Sequence, residues 1–343
     1  MKKYLIILAA TLILLSIFIF AGVKIYRIFF RHNLVAEEQG YVLYILTGSS
    51  YDDVVNILIR DKVLRDIGGF EWLSKRLNYP ANVHAGRYIL TKDMNNKDII
   101  RKLRSGSQNP VSLFINKYRT KPDLTGFISK KLETDSAELL TLLNDSAYLA
   151  TYSYTRDNII SIFISDTYEF YWNTNALELM QRMMREYQKF WTVERFAQAQ
   201  GHQLAPLEVI TLASIVEEET NNAEEKPLIA GVYLNRLHKG MKLQADPTVK
   251  FALQNFNIKR ITTRQTHFDS PFNTYVAEGL PPGPICIPSR QSIEAVLNAE
   301  PHDYIFFCAK GDGSGTHLFA ETYREHQSNA RRYRKLLDVS GIF

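Results

Sequence analysis

Cysteine is scarce in this chain, with only Cys286 and Cys308 among 343 residues. Two cysteines at that separation make neither a metal-ligand pattern nor a disulfide framework. They fit two buried thiols or, outside the cytosol, one disulfide, and buried thiols are the simpler expectation. Blocks of Lys or Arg are also missing. The 41 basic and 36 acidic residues are interspersed and leave a net charge of only +5, which argues against a nucleic-acid partner. Internal repeats and low-complexity stretches are absent, and no segment is rich enough in Gly, Pro or Ser to mark a flexible joint.

Apolar residues, by contrast, are plentiful: 45% of the chain is hydrophobic and 12% aromatic, enough for real cores. The length suggests two folded units plus an anchor. From Tyr4 to Val23 runs a stretch of twenty residues without a charge. At ~1.5 Å per residue a helix of that length crosses a ~30 Å hydrocarbon core. A cleaved signal peptide is the alternative, but the run exceeds the ~7–15 residues of such a segment and lacks a convincing small-x-small site, Ala21-Gly22 being the best available. Lys2 and Lys3 flank one side, and Lys24, Arg27 and Arg31 the other, so charge bias leaves the orientation open. The simpler arrangement puts a stub, residues 1–3, in the cytoplasm and everything after Arg31 outside.

Residues 24–40 read as a connector. Beyond it, Tyr41 to Leu46 is strand-like, helices are expected over 51–60 and 69–77, His84 to Leu90 is a return strand, and 96–104 is a helix ending at Ser105-Gly106. The order β-α-α-β-α makes a small α+β module over 41–106. Further on, 111–115 reads as a strand, 124–132 and 137–144 as helices, 159–164 as an apolar run before Asp166-Thr-Tyr, and 177–196 as one long amphipathic helix.

The chemistry-bearing segment begins at Pro206. Pro206 to Thr220 reads as a helix with proline in its first turn. Leu207, Ile210, Ala213 or Ser214, and Glu217 share one stripe, while Glu218 and Glu219 turn about 100° and 200° away. A carboxyl held against apolar neighbours loses solvation, which raises its pKa and suits it to general acid work. By this reasoning Glu217 is the candidate acid. The plain alternative is a helix-end glutamate that reaches water or caps a loop. A second helix from Lys226 carries Asn235 and Arg236 in an otherwise apolar pattern and closes at Lys239-Gly240. Gln244, Asp246 and Thr248 then alternate like one face of an extended segment. Asn273, Tyr275 and Glu278 lie in rigid turns. Planar polar side chains mixed with aromatic rings suit sugar binding.

In order, Ala213-Ser-Ile-Val-Glu-Glu-Glu-Thr, Leu234-Asn-Arg-Leu, Gly240-Met-Lys-Leu-Gln-Ala-Asp-Pro-Thr-Val, Asn273-Thr-Tyr, Gly279-Leu-Pro-Pro-Gly-Pro-Ile, and His317-Leu-Phe with Glu325-His326 resemble the MltG (YceG-like) endolytic murein transglycosylases. The similarity is dense from Pro206 onward, looser over 41–106, which resembles the family's LysM-like module, and it extends to the anchor. It implies an α+β protein: a transmembrane helix over 4–23, a LysM-like module over 41–106, and a larger mixed α/β catalytic domain over 107–343, motif-dense at 206–330. It departs from the family at Ile160-Ser161 and Ser165, where many members carry Glu-Gly and Pro, and at Phe272, where Tyr is common.

The resemblance implies a lyase that cuts the β-1,4 bond between N-acetylmuramic acid and N-acetylglucosamine and closes a 1,6-anhydro ring, with Glu217 at the position of the catalytic glutamate. One carboxyl then serves twice, first as acid and then as base for the muramyl 6-hydroxyl. That scheme needs no second acid, unlike the usual glycosidase pair. Gln244, Asp246, Thr248, Asn273, Tyr275 and Glu278 are expected to bind sugar, and Ser214, Glu219, Asn235 and Arg236 to support the site. His317 and His326 read as polar core contacts, with no metal motif, and the resemblance implies no cofactor. Expected partners are peptidoglycan glycan strands, the bacterial inner (cytoplasmic) membrane and cell-wall synthases of the elongation machinery, with the catalytic domain on the extracytoplasmic side. Rival readings are a water-using muramidase with Asp246 or Glu278 as base, and a membrane-tethered peptidoglycan-binding scaffold. Pyridoxal phosphate chemistry, an older label for this family, is discounted because no Gly-rich phosphate loop lies beside a plausible lysine.

Overall fold

The computed structural model describes residues 1–35 and 40–340. Residues 36–39 of the expected connector and 341–343 at the chain end lie outside the described residues. The chain divides into two compact units. The first comprises 1–112 with 131–133 and 169–174, and the second comprises the rest.

The first unit begins with α1 (Lys2–Phe30), whose side chains are exposed except for the buried Ile28 and the half-buried Phe29. At 29 residues it is roughly 43 Å long, longer than the expected span. It is the one helix among the described residues long and apolar enough to cross a membrane. Helix continues past Val23 to Phe30, and its end is tied down. Asn96 donates to the Ile28 carbonyl at 3.0 Å, and Asn33 donates to Asn96 Oδ1 at 2.6 Å. Both asparagines are buried, so each satisfied amide resists being pulled into solvent.

Strand β1 (Tyr41–Ile45), helices α2 (Tyr51–Arg60) and α3 (Ile67–Arg76), strand β2 (Gly86–Leu90) and helix α4 (Asn96–Arg104) follow in the expected order. The two strands pair antiparallel, Tyr41 opposite Leu90 and Ile45 opposite Gly86. α2 and α4 take the expected bounds because each starts on a capping box, Ser50 with Asp53 and Asn95 with Asp98. Leu43, Val54, Phe70, Tyr88 and Ile99 fill the core they enclose.

Strand β3 (Val111–Ile115) leads into the second unit, where the short helices α5 (Lys121–Ser129), α6 (Ser136–Leu142) and α7 (Ser146–Ala150) precede β4 (Asp166–Phe170). The single helix expected over 177–196 is two, α8 (Ala176–Phe190) and α9 (Val193–Gly201). Trp191 leaves helical geometry, and the Thr192 hydroxyl caps α9 by accepting from the Arg195 amide at 3.3 Å. The apolar period runs across the break because Phe190, Trp191 and Ala199 all enter one core.

That core is built on α10 (Pro206–Glu219), packed against α11 (Lys226–His238), α12 (Asp246–Ala252) and α13 (Arg290–Leu297). Every residue from Val209 to Val216 is buried, so α10 has no solvent face over that stretch. The chain closes with a hairpin, β5 (Phe306–Ala309) and β6 (His317–Ala320), and helix α14 (Tyr323–Ser340). Ala309 stands opposite His317 in the hairpin. Cys286 and Cys308 are both free thiols.

Candidate active site

The three glutamates at the end of α10 leave the helix in three directions and meet three different environments. Glu217 turns toward α13. Its Oε2 accepts from the Ser289 and Ser292 hydroxyls, each at 2.5 Å, and from Lys226 Nζ at 3.0 Å. Burial pushes its pKa up, but the two hydroxyls and the ammonium outweigh that and hold the carboxyl below its ordinary value. The expectation that Glu217 is a neutral acid among apolar groups therefore fails on its environment: it is an ion-paired carboxylate that ties α10 to α11 and α13. Glu218 accepts a fork from Arg119, at 3.0 and 2.9 Å, and pairs with Lys117 at 3.2 Å. Lys117 also donates to the Glu217 carbonyl at 3.1 Å, where a cation suits the helix C-terminus.

Glu219, expected only to support the site, has the surroundings sought for Glu217. It lines a cavity of about 390 Å³ with Tyr233, Arg236, Gln244, Asp246 and Tyr275. The Tyr233 hydroxyl donates to Glu219 Oε1 at 2.6 Å. Burial pushes the Glu219 carboxyl up to about 7, with the Asp246 charge adding to the rise and the Tyr233 hydrogen bond opposing it. Near neutral pH it therefore holds a proton for a large part of the time.

Of the expected sugar-binding residues, Gln244, Asp246 and Tyr275 reach this cavity. Tyr275 donates its hydroxyl to Asp246 Oδ1 at 2.7 Å, and Gln244 sits at φ 52°, its amide bonded to the Thr274 carbonyl at 3.0 Å. The extended face expected over 244–248 is not formed, because Asp246-Pro247 starts α12, proline being favoured in a first helical turn. That turns Thr248 inward, where its hydroxyl bonds the Ala245 carbonyl at 2.6 Å and the Thr274 hydroxyl at 2.9 Å. Asn273 is likewise fully buried and donates to the Thr266 and Phe268 carbonyls. Both residues shape the loops beneath the site and do not line the cavity. Glu278 is exposed and lies outside it.

Among the expected supporting residues, Ser214 is buried in α10, donating to the Thr211 carbonyl and accepting from the Ile285 amide at 3.0 Å. Asn235 donates to the His302 and Tyr304 carbonyls, and Arg236 to those of Ile305 and Leu243, both at 2.7 Å. These bonds hold the start of the β5–β6 hairpin onto α11, and Arg236 also faces the cavity. Sequence reasoning missed Tyr233, which is read there as one more apolar residue of α11. His317 and His326, expected as polar core contacts, also line the cavity. The only sequence signal for the histidines was their place in shared motifs.

A family model of YceG-like proteins matches residues 43–332. The chain belongs to the YceG-like family. Among curated relatives of this YceG-like chain is an endolytic murein transglycosylase of Bacillus subtilis, 27% identical over 304 residues, covering 84% of this chain and 83% of the relative. Another of that name, from Streptococcus pneumoniae strain R6, is 27% identical over 330 residues, with 87% of this chain covered but only 59% of the longer pneumococcal protein. The crystal structure of a yceG-like protein from Listeria monocytogenes superposes with a TM-score of 0.55 at 28% identity, over 85% of this chain and 99% of that one. The relatives' shared name describes a lyase-type enzyme, in line with the expectation of an enzyme.

Proposed function

We propose that this YceG-like chain is a membrane-anchored lytic transglycosylase of peptidoglycan, with Glu219 as its proton donor in place of Glu217. The observation that carries this reading is a carboxyl with a pKa of about 7, held by Tyr233 and opening on a polar cavity. A general acid works best when its pKa lies near the working pH. The relatives' name supplies the substrate class.

The substrate bond is the β-1,4 link between N-acetylmuramic acid and N-acetylglucosamine. Glu219 donates its proton to the glycosidic oxygen as the bond to C1 breaks, and the substrate's own acetamido group steadies the positive charge at C1. The muramyl 6-hydroxyl then attacks C1 and closes the 1,6-anhydro ring, which requires an acceptor for the hydroxyl proton. Gln244, Asp246, Tyr275 and Arg236 are positioned to hydrogen-bond the sugars. The 41–106 module is assigned to glycan binding as a LysM-like unit, and residues 107–343 to catalysis. The helix anchors the chain in the inner membrane with residues 1–3 in the cytoplasm and the catalytic domain outside, beside the elongation synthases.

The test uses the full-length protein in detergent with purified uncrosslinked glycan strands, products being weighed by mass spectrometry. Wild type yields anhydro-muramyl ends and Glu219→Gln yields no cleavage. Asp246 shares the cavity and is the residue able to activate water instead, as a muramidase would; reducing ends in the products would establish that rival. Binding with no cleavage by wild type would favour the scaffold.

A further inference from the structure

The uncharged run of α1 ends at Val23, yet the last turns of the helix carry an aromatic group with no role in the chemistry above. The rings of Tyr26 and Phe30 lie 5.3 Å apart between centroids, and those of Phe29 and Phe30 6.2 Å. Phe29 then meets Trp72 of α3 edge-on at 6.4 Å. The guanidinium of Arg76 covers the Trp72 ring, 4.2 Å from its centroid. Four rings thus form one chain of contacts that leaves α1 and continues onto the 41–106 module. Tyr26, Phe30 and Trp72 are all exposed, Trp72 by 38%.

The contact is built into the first unit. Ile28 enters its core with Phe70 and Leu73. Gly69 lets α3 come close, since a Cβ there would stand 3.1 Å from the Ile28 side chain. Trp72, almost one turn beyond Gly69, is thereby held beside Phe29. Along α3 the exposed residues are Gly68, Trp72, Lys75 and Arg76, at i, i+4, i+7 and i+8, which makes one stripe. Glu71, the one acid within α3, is half-buried and off that stripe.

The level of this stripe follows from the length of α1. That helix is roughly 43 Å long, and a bilayer with its headgroups is ~40–45 Å thick. Its last turn therefore ends at the headgroup face, and Trp72 stands there with it. Lys24, Arg27 and Arg31 are exposed in the same stretch, and the first 35 residues contain no Asp or Glu. Amphipathic rings concentrate at that depth, where Lys and Arg meet lipid phosphates.

We infer that the 41–106 module makes a second contact with the bilayer, the α3 stripe of Trp72, Lys75 and Arg76 docking on phospholipid headgroups beside α1. The inference rests on the reading that α1 spans a membrane. A single spanning helix leaves the unit it carries free to turn about the helix axis. Two points of contact hold the module at one angle to the surface. Continuity with α1 and the positive charge of the stripe select lipid over a protein partner.

The experiment places full-length protein in vesicles of phosphatidylcholine and phosphatidylglycerol whose upper acyl carbons carry bromine, a quencher of tryptophan. The chain has three tryptophans, and the difference between wild type and Trp72→Phe isolates the Trp72 emission. The expected result is loss of about half or more of that emission to bromine, with little access by aqueous iodide. Lys75→Glu combined with Arg76→Glu changes two exposed positions and keeps the ring, so total emission can be compared with wild type directly. The docked population of this variant should fall by about tenfold or more, since each basic side chain at an anionic surface contributes about fivefold. Trp72 emission that bromine leaves unchanged and iodide quenches freely overturns the inference, as does a double variant quenched as strongly as wild type. Alkaline carbonate extraction separates the two ways of failing. Protein retained by the vesicles with Trp72 unquenched means that this inference alone is wrong; protein released means that α1 does not span, and the anchor reading has failed.

Discussion

Tyr233 of α11 gives its hydroxyl hydrogen to Glu219 at the end of α10 across 2.6 Å. Burial raises the proton affinity of that carboxyl most, and the Asp246 charge adds to the rise; the bond is the largest contribution opposing them, ahead of the Lys250 charge. Since the bond stabilises the charged form, removing it raises the pKa further. A hydrogen bond to a charged group contributes ~1.5–3 kcal/mol, equivalent to about 1–2 pH units. Tyr233→Phe, which keeps the ring, should move the alkaline limb of the pH–rate profile for anhydro-end formation upward by about that amount.

Stability should follow the same carboxyl. The folded-state pKa of Glu219 lies above its ordinary 4.5, at about 7, so between those values the folded chain binds the extra proton. Stability therefore falls as pH rises from 4.5 toward 7 and stays lower above it. Glu219→Gln, neutral at every pH, should melt at a higher temperature than wild type at pH 8, by an amount on the order of 1–3 kcal/mol. The two should approach each other near pH 4.5. Thermal melts across pH read this directly, and equal gaps at both pH values would contradict it.

Glu217→Gln should behave in the opposite way. Its partner Lys226 has a side chain only 5% exposed, and breaking a buried pair from one side costs about 3–5 kcal/mol because the other charge is left unmatched. The variant should melt early at neutral pH, with activity falling in step with the folded fraction. In wild type the Glu217 carboxyl is held below its ordinary value. Its stabilising contribution is therefore present above pH 4.5 and lost as pH falls through the folded pKa, so the melting difference between wild type and variant should shrink toward acid.

Gly283, in the Leu-Pro-Pro-Gly-Pro segment, passes directly against the backbone at Asp157. A Cβ there would meet the Asp157 carbonyl oxygen far inside van der Waals contact and the carbonyl carbon at 2.7 Å. Backbone cannot swing aside as a flexible side chain does. Gly283→Ala should destabilise the second unit by about 1–3 kcal/mol or more, read as a lowered denaturant midpoint.

At the end of α1, Asn96 accepts from Asn33 and donates to the Ile28 carbonyl. Asn96→Leu leaves the Asn33 amide with one bond fewer in a buried place, a cost of about 1–3 kcal/mol. The last turn of α1 should then fray, and trypsin should cut at Arg27 and Arg31 faster than in wild type.

Several features were legible in the amino-acid order because their causes are local. Twenty uncharged residues make a helix of membrane-spanning length wherever they stand. Ser50 with Asp53 and Asn95 with Asp98 start their helices by bonding within one turn, so α2 and α4 could be bounded to the residue. The ordered motifs from Ala213 to His326 identified the family. The break at Trp191-Thr192 was hidden, because both halves of the segment feed one core and the apolar period carries on through it.

Which of three adjacent glutamates keeps its proton was decided only by the tertiary structure. A stripe on a helix points somewhere only if the opposite face differs, and α10 is buried on every side over Val209–Val216, so the stripe ending at Glu217 carried no direction. The neighbours that set each charge come from distant segments: Ser289, Ser292 and Lys226 for Glu217, Arg119 and Lys117 for Glu218, Tyr233 and Asp246 for Glu219. Local order fixes which groups a chain has and how each helix begins. Proton affinity depends on the dielectric and the charges within a few ångströms, and those are assembled only when remote parts of the chain pack together.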